Sequence, residues 1–182
     1  MTEQLRGSLL IVAVSGRALA RAAADAGYTP LVADFFADLD TQALALRAQK
    51  IPGDLSHGFC WESLEPVLDA LCADAASPPL GVIYGSGFED RPELLDAIAA
   101  RWRLIGNSAA TVAEVNDPEG FFAVLAQMGI PHPESRLDPP AEPEGWIAKR
   151  LGAAGGSHVV PAEGKSGASN VYFQRLIPGR PV

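Results

Sequence analysis

Lys149 ends the run WIAKR (146–150), and the segment after it, LGAAGGSHVV, has almost no long side chains. A lysine ahead of such a loop suits the capture of an anion. The ammonium supplies charge, and Gly152, Gly155 and Gly156 let backbone N–H groups approach phosphate oxygens with no Cβ in the way. Strand alternation places Ile147 and Lys149 on one face, with Trp146 and Ala148 on the other. In NVYFQRLI (170–177), Val171, Phe173, Arg175 and Ile177 share a face, opposite Tyr172, Gln174 and Leu176. Lys149 thus has an apolar companion on its own face, as a lysine reaching over a nucleotide requires. The same spacing also suits a solvated lysine before an ordinary hairpin loop.

Other segments carry weaker signals. The chain has no GxxxxGK[ST] motif, and the turn VSGRA does not satisfy G-x-G-x-x-G, so a dinucleotide site there has little support. In YGSGFED, Gly85 and Gly87 let the chain bend, and Glu89 and Asp90 either cap the next helix or face a ligand. His57 lies near Cys60 and Glu62 but lacks a second ligand set at metal-binding spacing, which favours a loop or packed histidine. His132 sits in a proline-rich loop, and His158 follows the glycine loop, where it reads as a strand residue or a phosphate contact. Trp61, Trp102 and Trp146 read as packing residues. Cys60 and Cys72 match no metal spacing and read as small apolar residues.

The elements that must hold these residues fall into two kinds. SLLIVAVS is a continuous apolar run, GRALARAAADAG a helix ending at Gly27, and TPLVADFF a strand. LEPVLDALCADA and RPELLDAIAARW are helical, with the strand LGVIYGSG between them. This order predicts an α/β fold, a Rossmann-like parallel sheet over residues 1–105. From 106 to 182 the pattern changes. NSAATVAEV and DPEGFFAVLAQMG read as helices, with Asn107 or Ser108 and Asp117 as N-caps and Pro118 at the first helical position. IPHPESRLDPPAEPEG is expected to be irregular, and WIAKR, SHVVP and NVYFQRLI to form an antiparallel sheet in a small α+β lobe. After PGR the chain reads as cut at Val182 rather than finished.

The whole chain sets limits. Its 182 residues suit one domain or one and part of another, and 48% hydrophobic residues can form a core. A net charge of −8 argues against nucleic acid, which needs a basic footprint. No apolar stretch is long enough for a membrane span, and Leu9–Val14 is short for a signal-peptide core, so a cytoplasmic location is expected.

WIAKRLGAAGGSHV followed by VYFQRLIPG, behind a Rossmann-like region and a two-helix connector, resembles the ATP-grasp superfamily. The resemblance implies a pre-ATP-grasp domain (1–105), then a connector and the N-terminal lobe of the ATP-grasp domain (106–182). It also implies ATP and Mg²⁺ as cofactors, with small-molecule carboxylate and amine substrates. In such ligases the carboxylate attacks the γ-phosphate of ATP, and an amine displaces phosphate from the resulting acyl phosphate. Carried over by position, Lys149 resembles the lysine that contacts nucleotide phosphates and adenine. Ala154, Gly155, Gly156 and Ser157 resemble the mobile glycine-rich flap. Gln174, Arg175, Leu176 and Ile177 resemble the hinge whose backbone reads the adenine edge, with Gln174 where many members have glutamate.

Two departures stand against this pattern. Asp117-Pro118 replaces an aspartate-lysine pair, and the acidic Mg²⁺ ligands, asparagine and catalytic arginine of the family belong to a lobe expected beyond Val182. The chain alone is therefore expected to be inactive, because phosphoryl transfer lacks its main charge stabiliser. The segment SGRALARAAADAGYTPLVADFFADLDT is similar to ATP-grasp proteins of one-carbon cofactor pathways. The alternative is a non-catalytic module that binds a nucleotide or another protein. An apolar surface on such a lobe is also compatible with a homo-oligomer.

Overall fold

The computed structural model describes residues 6–153, 156, 158–165 and 170–179. The chain forms two compact units, Met1–Ala109 and Ala110–Val182.

The first unit is organised around β1 (Ser8–Val12), in which every residue is buried. An unbroken apolar strand needs cover on both faces, and a parallel sheet flanked by helices supplies it. β2 (Thr29–Asp34), β3 (Arg47–Lys50) and β4 (Val82–Tyr84) complete that sheet in the order β3-β2-β1-β4. All its pairings are parallel, and Leu104 adds a single parallel bridge to Val82. α1 (Arg17–Asp25) ends where expected. Gly27 takes φ +81°, its N–H donates to Ala24 O, and Tyr28 N–H donates to Ala23 O, each at 2.9 Å. α2 (Leu39–Leu44) is capped by Asp38, which accepts from Thr41 N–H at 2.7 Å. α3 (Trp61–Ala73) buries Leu64, Val67, Leu68 and Leu71, and α4 (Glu93–Ala99) buries Leu94, Leu95 and Ile98.

At the carboxyl end of β2 the wholly buried Asp34 ties two turns together. One carboxylate oxygen accepts from Gly16 N–H at 2.8 Å; the other accepts from Phe36 N–H at 2.9 Å and Ala37 N–H at 2.6 Å. Ala37 has φ +43°, a conformation that needs such outside support. Gly16 is equally constrained, since a Cβ there would lie 2.4 Å from Val32 Cγ1. Next to this junction Phe35 stacks on Phe59 (centroids 4.8 Å apart), and Phe59 packs on Phe88 at 5.0 Å.

The second unit carries α5 (Ala109–Asn116) and α6 (Pro118–Gln127), then β5 (Ser135–Arg136), β6 (Trp146–Arg150), β7 (Val160–Pro161) and β8 (Val171–Arg175). Asp117 caps α6 by accepting from Gly120 N–H at 3.1 Å, with Pro118 in the first turn. The sheet is antiparallel, in the order β5-β8-β6-β7. Trp146, Ala148, Ala162 and Phe173 form its buried core. Two expectations are corrected. The proline-rich passage is not wholly irregular, because its longest stretch without proline, ESRLD, places Ser135 and Arg136 against β8. Among the described residues of SHVVP, Val160 and Pro161 alone are strand. α6 buries no residue and leaves Val124 and Met128 exposed. Among the described residues, no helix is long and apolar enough to cross a membrane.

The Asp34 junction gives the first prediction. Asp34→Ala strands three N–H donors and should destabilise the first unit by about 3 kcal/mol or more, with Asp34→Asn milder because one acceptor oxygen remains. Urea unfolding followed by circular dichroism measures both.

Candidate functional site

The β6–β8 register decides which side chains meet. Ile147 lies opposite Gln174 and Lys149 opposite Tyr172 on one face, while Ala148 lies opposite Phe173 on the other. The second face is the apolar core, so the first carries the polar groups. Lys149 Nζ donates to Gln174 Oε1 at 2.6 Å and lies 6.0 Å from the Tyr172 ring centroid. Burial pushes the Tyr172 phenol pKa up, so the ring stays neutral beside the ammonium. Gln174 is only 7% exposed; its Nε2 donates to Ser135 Oγ at 3.1 Å.

A cavity of about 390 Å³ at the end of β6 is lined by Lys149, Arg150, His158, Gly164, Lys165 and Asn170 together with Ala148, Val160 and Val171 from the apolar face, whereas Gln174 and Tyr172, the neighbours of the ammonium, do not line it. Among the described residues that line it, none is acidic, although the chain as a whole is strongly so. His158 Nδ1 is buried there with no hydrogen-bond partner among the described residues. A buried polar atom without a partner is costly. Gly152 (φ +62°) and Gly156 (φ +77°) stand in the left-handed conformation, and open space surrounds the position of a Cβ on Gly156. Ala154, Gly155 and Ser157 of the expected flap lie outside the described residues.

The expected hinge is only partly as anticipated. Gln174 joins Lys149, but Arg175 turns to the other face, 4.8 Å from the Trp146 ring centroid. The Arg175 and Leu176 amides are not free to read a base. They donate to Glu134 O and Gly145 O at 2.8 and 2.9 Å, because β8 is an interior strand with neighbours on both sides. Leu176 and Ile177 are exposed. Sequence reasoning missed Ser135 and Lys165. A lysine inside the glycine- and serine-containing segment EGKSG was a usable signal for Lys165; Ser135 had none, since its role depends on pairing across 39 residues.

The first unit uses its conspicuous polar groups internally. Asp34, at the end of the second parallel strand, is occupied by backbone N–H groups and not offered to a ribose. Glu89 accepts from Gly87 N–H at 2.7 Å and so holds the turn; it does not cap α4, whose N-cap is Pro92. Asp54 and Ser56 both approach the same ring nitrogen of His57, at 2.9 and 3.2 Å, so the ring cannot relay a proton between them. His132 packs on Phe122 at 5.1 Å, in a structural role. Cys60 and Cys72 are free thiols. Among the described residues, no group of three or more His, Cys, Asp or Glu could hold a metal ion.

Solved structures with the same arrangement settle the fold. N5-carboxyaminoimidazole synthetase from Staphylococcus aureus, complexed with ADP, superposes with a TM-score of 0.65 at 13% identity, over 96% of this chain and 48% of that one. The chain has the fold of about half of such an enzyme. L-amino acid ligase from Bacillus licheniformis gives 0.62 at 16% identity, over 97% of this chain and 45% of that one. Biotin carboxylase from Campylobacter jejuni, solved as a beta-gamma-ATP complex, gives 0.58 at 19%, over 93% and 45%. No protein-family model and no curated protein matches the sequence.

The exposed Asp54 loop offers a pH test. The Ser56 hydroxyl first, then the His57 side chain and the backbone N–H groups of His57 and Ser56, hold the Asp54 carboxyl at about 2, below the usual 3.8. A lowered folded-state pKa stabilises above the unfolded value and ceases to do so as pH falls through the folded one. The loop should therefore stay intact at pH 4 and loosen only toward pH 2, and Ser56→Ala should move the transition upward. A carboxyl-carbon NMR titration of Asp54 checks both.

Proposed function

We propose that this chain is the nucleotide-binding portion of an ATP-dependent carboxylate–amine ligase of the ATP-grasp type. One observation carries the proposal: the end of β6 gathers Lys149, Arg150, His158 and Lys165 around a cavity with no carboxylate among its described lining. Such a cavity fits a polyphosphate, and the strand and loop that build it are those that carry the ATP-grasp resemblance. The shared fold supports this, as do the adenine nucleotides in two of the solved enzymes.

On this reading Lys149 holds phosphate oxygens, and His158 and Lys165 add donors at the same site. ATP would supply a phosphoryl group that gives a substrate carboxylate a competent leaving group, and an amine would then take the acyl group to form an amide. The described residues offer no carboxylate set for Mg²⁺, so the metal's role is not assigned to them. The chain spans about half the length of the enzymes it matches, so the full reaction, small-molecule substrates and cytoplasmic location remain proposals for the whole protein. The likeness of residues 15–41 suggests one-carbon cofactor biosynthesis as the setting.

A second reading, a nucleotide-binding module without catalysis, is favoured by Pro118. The first position of α6, where the resemblance asks for a lysine, is held by a residue that only starts the helix. Against this, Gln174 replaces a glutamate, so one cation and one anion are exchanged for neutral groups together.

Calorimetric titration with ADP tests the proposal. The wild-type chain should bind it, and Lys149→Ala should weaken binding by about tenfold or more, as expected for loss of a charge-assisted hydrogen bond. Unchanged affinity in the variant would remove Lys149 from the site.

A further inference from the structure

The contact between Lys149 and Gln174 has a fixed sense. An ammonium only donates, so the Gln174 atom that faces it is Oε1, and Nε2 is turned toward Ser135. Ser135 Oγ accepts from Nε2, and its own proton goes to Pro133 O, 3.1 Å away, a carbonyl that only accepts. His132 Nδ1 lies 3.1 Å from the same carbonyl and therefore carries the ring proton. The result is a one-way chain from ammonium through amide and hydroxyl to the backbone, in which each group has a single role.

We infer that Ser135 and Gln174 are positioning residues for Lys149, holding its ammonium with a neutral acceptor so that its full charge remains available to a phosphate-bearing ligand. The inference rests on the nucleotide reading above and adds to it the reason for an amide at position 174. A carboxylate there could accept the same hydrogen bond, but it would pair with the ammonium and compete with the ligand's phosphate for it. A hydrocarbon would release the lysine to other rotamers. Gln174 is buried, so an amide with either end unmatched would be destabilising; Lys149 and Ser135 match both ends. Lys149 sets the orientation of the amide, and Ser135 reinforces it by accepting from the Nε2 that this orientation turns away.

The test is calorimetric titration of the chain and of Gln174→Glu, Ser135→Ala and Ser135→Thr with ADP, tripolyphosphate and adenosine, with thermal melts alongside. Gln174→Glu should weaken ADP and tripolyphosphate by about tenfold and leave adenosine unchanged. Ser135→Ala should weaken ADP by about threefold, and Ser135→Thr, which keeps the hydroxyl, should restore it. Equal affinities for ADP across wild type, Gln174→Glu and Ser135→Ala would overturn the positioning role and leave the nucleotide reading standing. Parallel losses for ADP and adenosine would also overturn it, because the residues would then act on the base or the fold. Wild-type chain that binds neither ADP nor tripolyphosphate would overturn both readings. If Gln174→Glu melts early, the Ser135 pair carries the comparison.

Discussion

What the second unit offers a ligand depends on the register between β6 and β8. Five consecutive partners, from Trp146 opposite Arg175 to Arg150 opposite Val171, put Lys149, Tyr172 and Gln174 on one face and the aromatic core, with Arg150 and Arg175, on the other. The side-chain period of a strand is two residues, so a slip of one would turn one strand over relative to its core. Lys149 would lose Gln174, and Phe173 would leave Trp146 and Ala148. The same apolar packing that stabilises the lobe therefore aims its lysine. Burial selects the register, and the register selects the contact.

The two units treat polar groups at strand ends in opposite ways. In the first, the Asp34 carboxylate is saturated by neighbouring backbone N–H groups, and Glu89 braces a turn. Aromatic rings, Phe35, Phe59 and Phe88, pack against one another nearby. In the second, donors collect around a cavity without acidic lining, and one buried imidazole nitrogen lacks a partner among the described residues. An unpartnered buried atom does not mark a site by itself, since Ser8 Oγ, Thr41 Oγ1 and Gln49 Oε1 of the first unit share that condition. The gathering of Lys149, Arg150 and Lys165 around one cavity is what distinguishes the second unit.

Much of this was legible in the residues. The unbroken run SLLIV, the glycine closing α1, and the Asp117-Pro118 start of α6 each express local chemistry, and the structure shows each of them. The face assignments within WIAKR and VYFQR were equally direct, because a strand's period is intrinsic. What failed to show was non-local. β3 is RAQK, a sheet-edge strand with no apolar signature, and α2 is only six residues long. β5 owes its existence to β8, and the amides of Arg175 and Leu176 are occupied by neighbours that no local pattern announces. Lys149 was visible as a charge before glycines, but its partner became visible only once the pairing was known.

The short strand β7 has a further consequence. Ala162 N–H donates to Trp146 O, so Pro161, one residue earlier, directs its nitrogen away from β6 toward the outer edge. That nitrogen carries no hydrogen, and the opposite edge, β5, is two residues long. Neither border of the sheet therefore presents a continuous ladder that another chain could extend. A lobe that leaves Val124 of α6 and the following Met128 uncovered is thus protected against the commonest route by which exposed β proteins become fibrous.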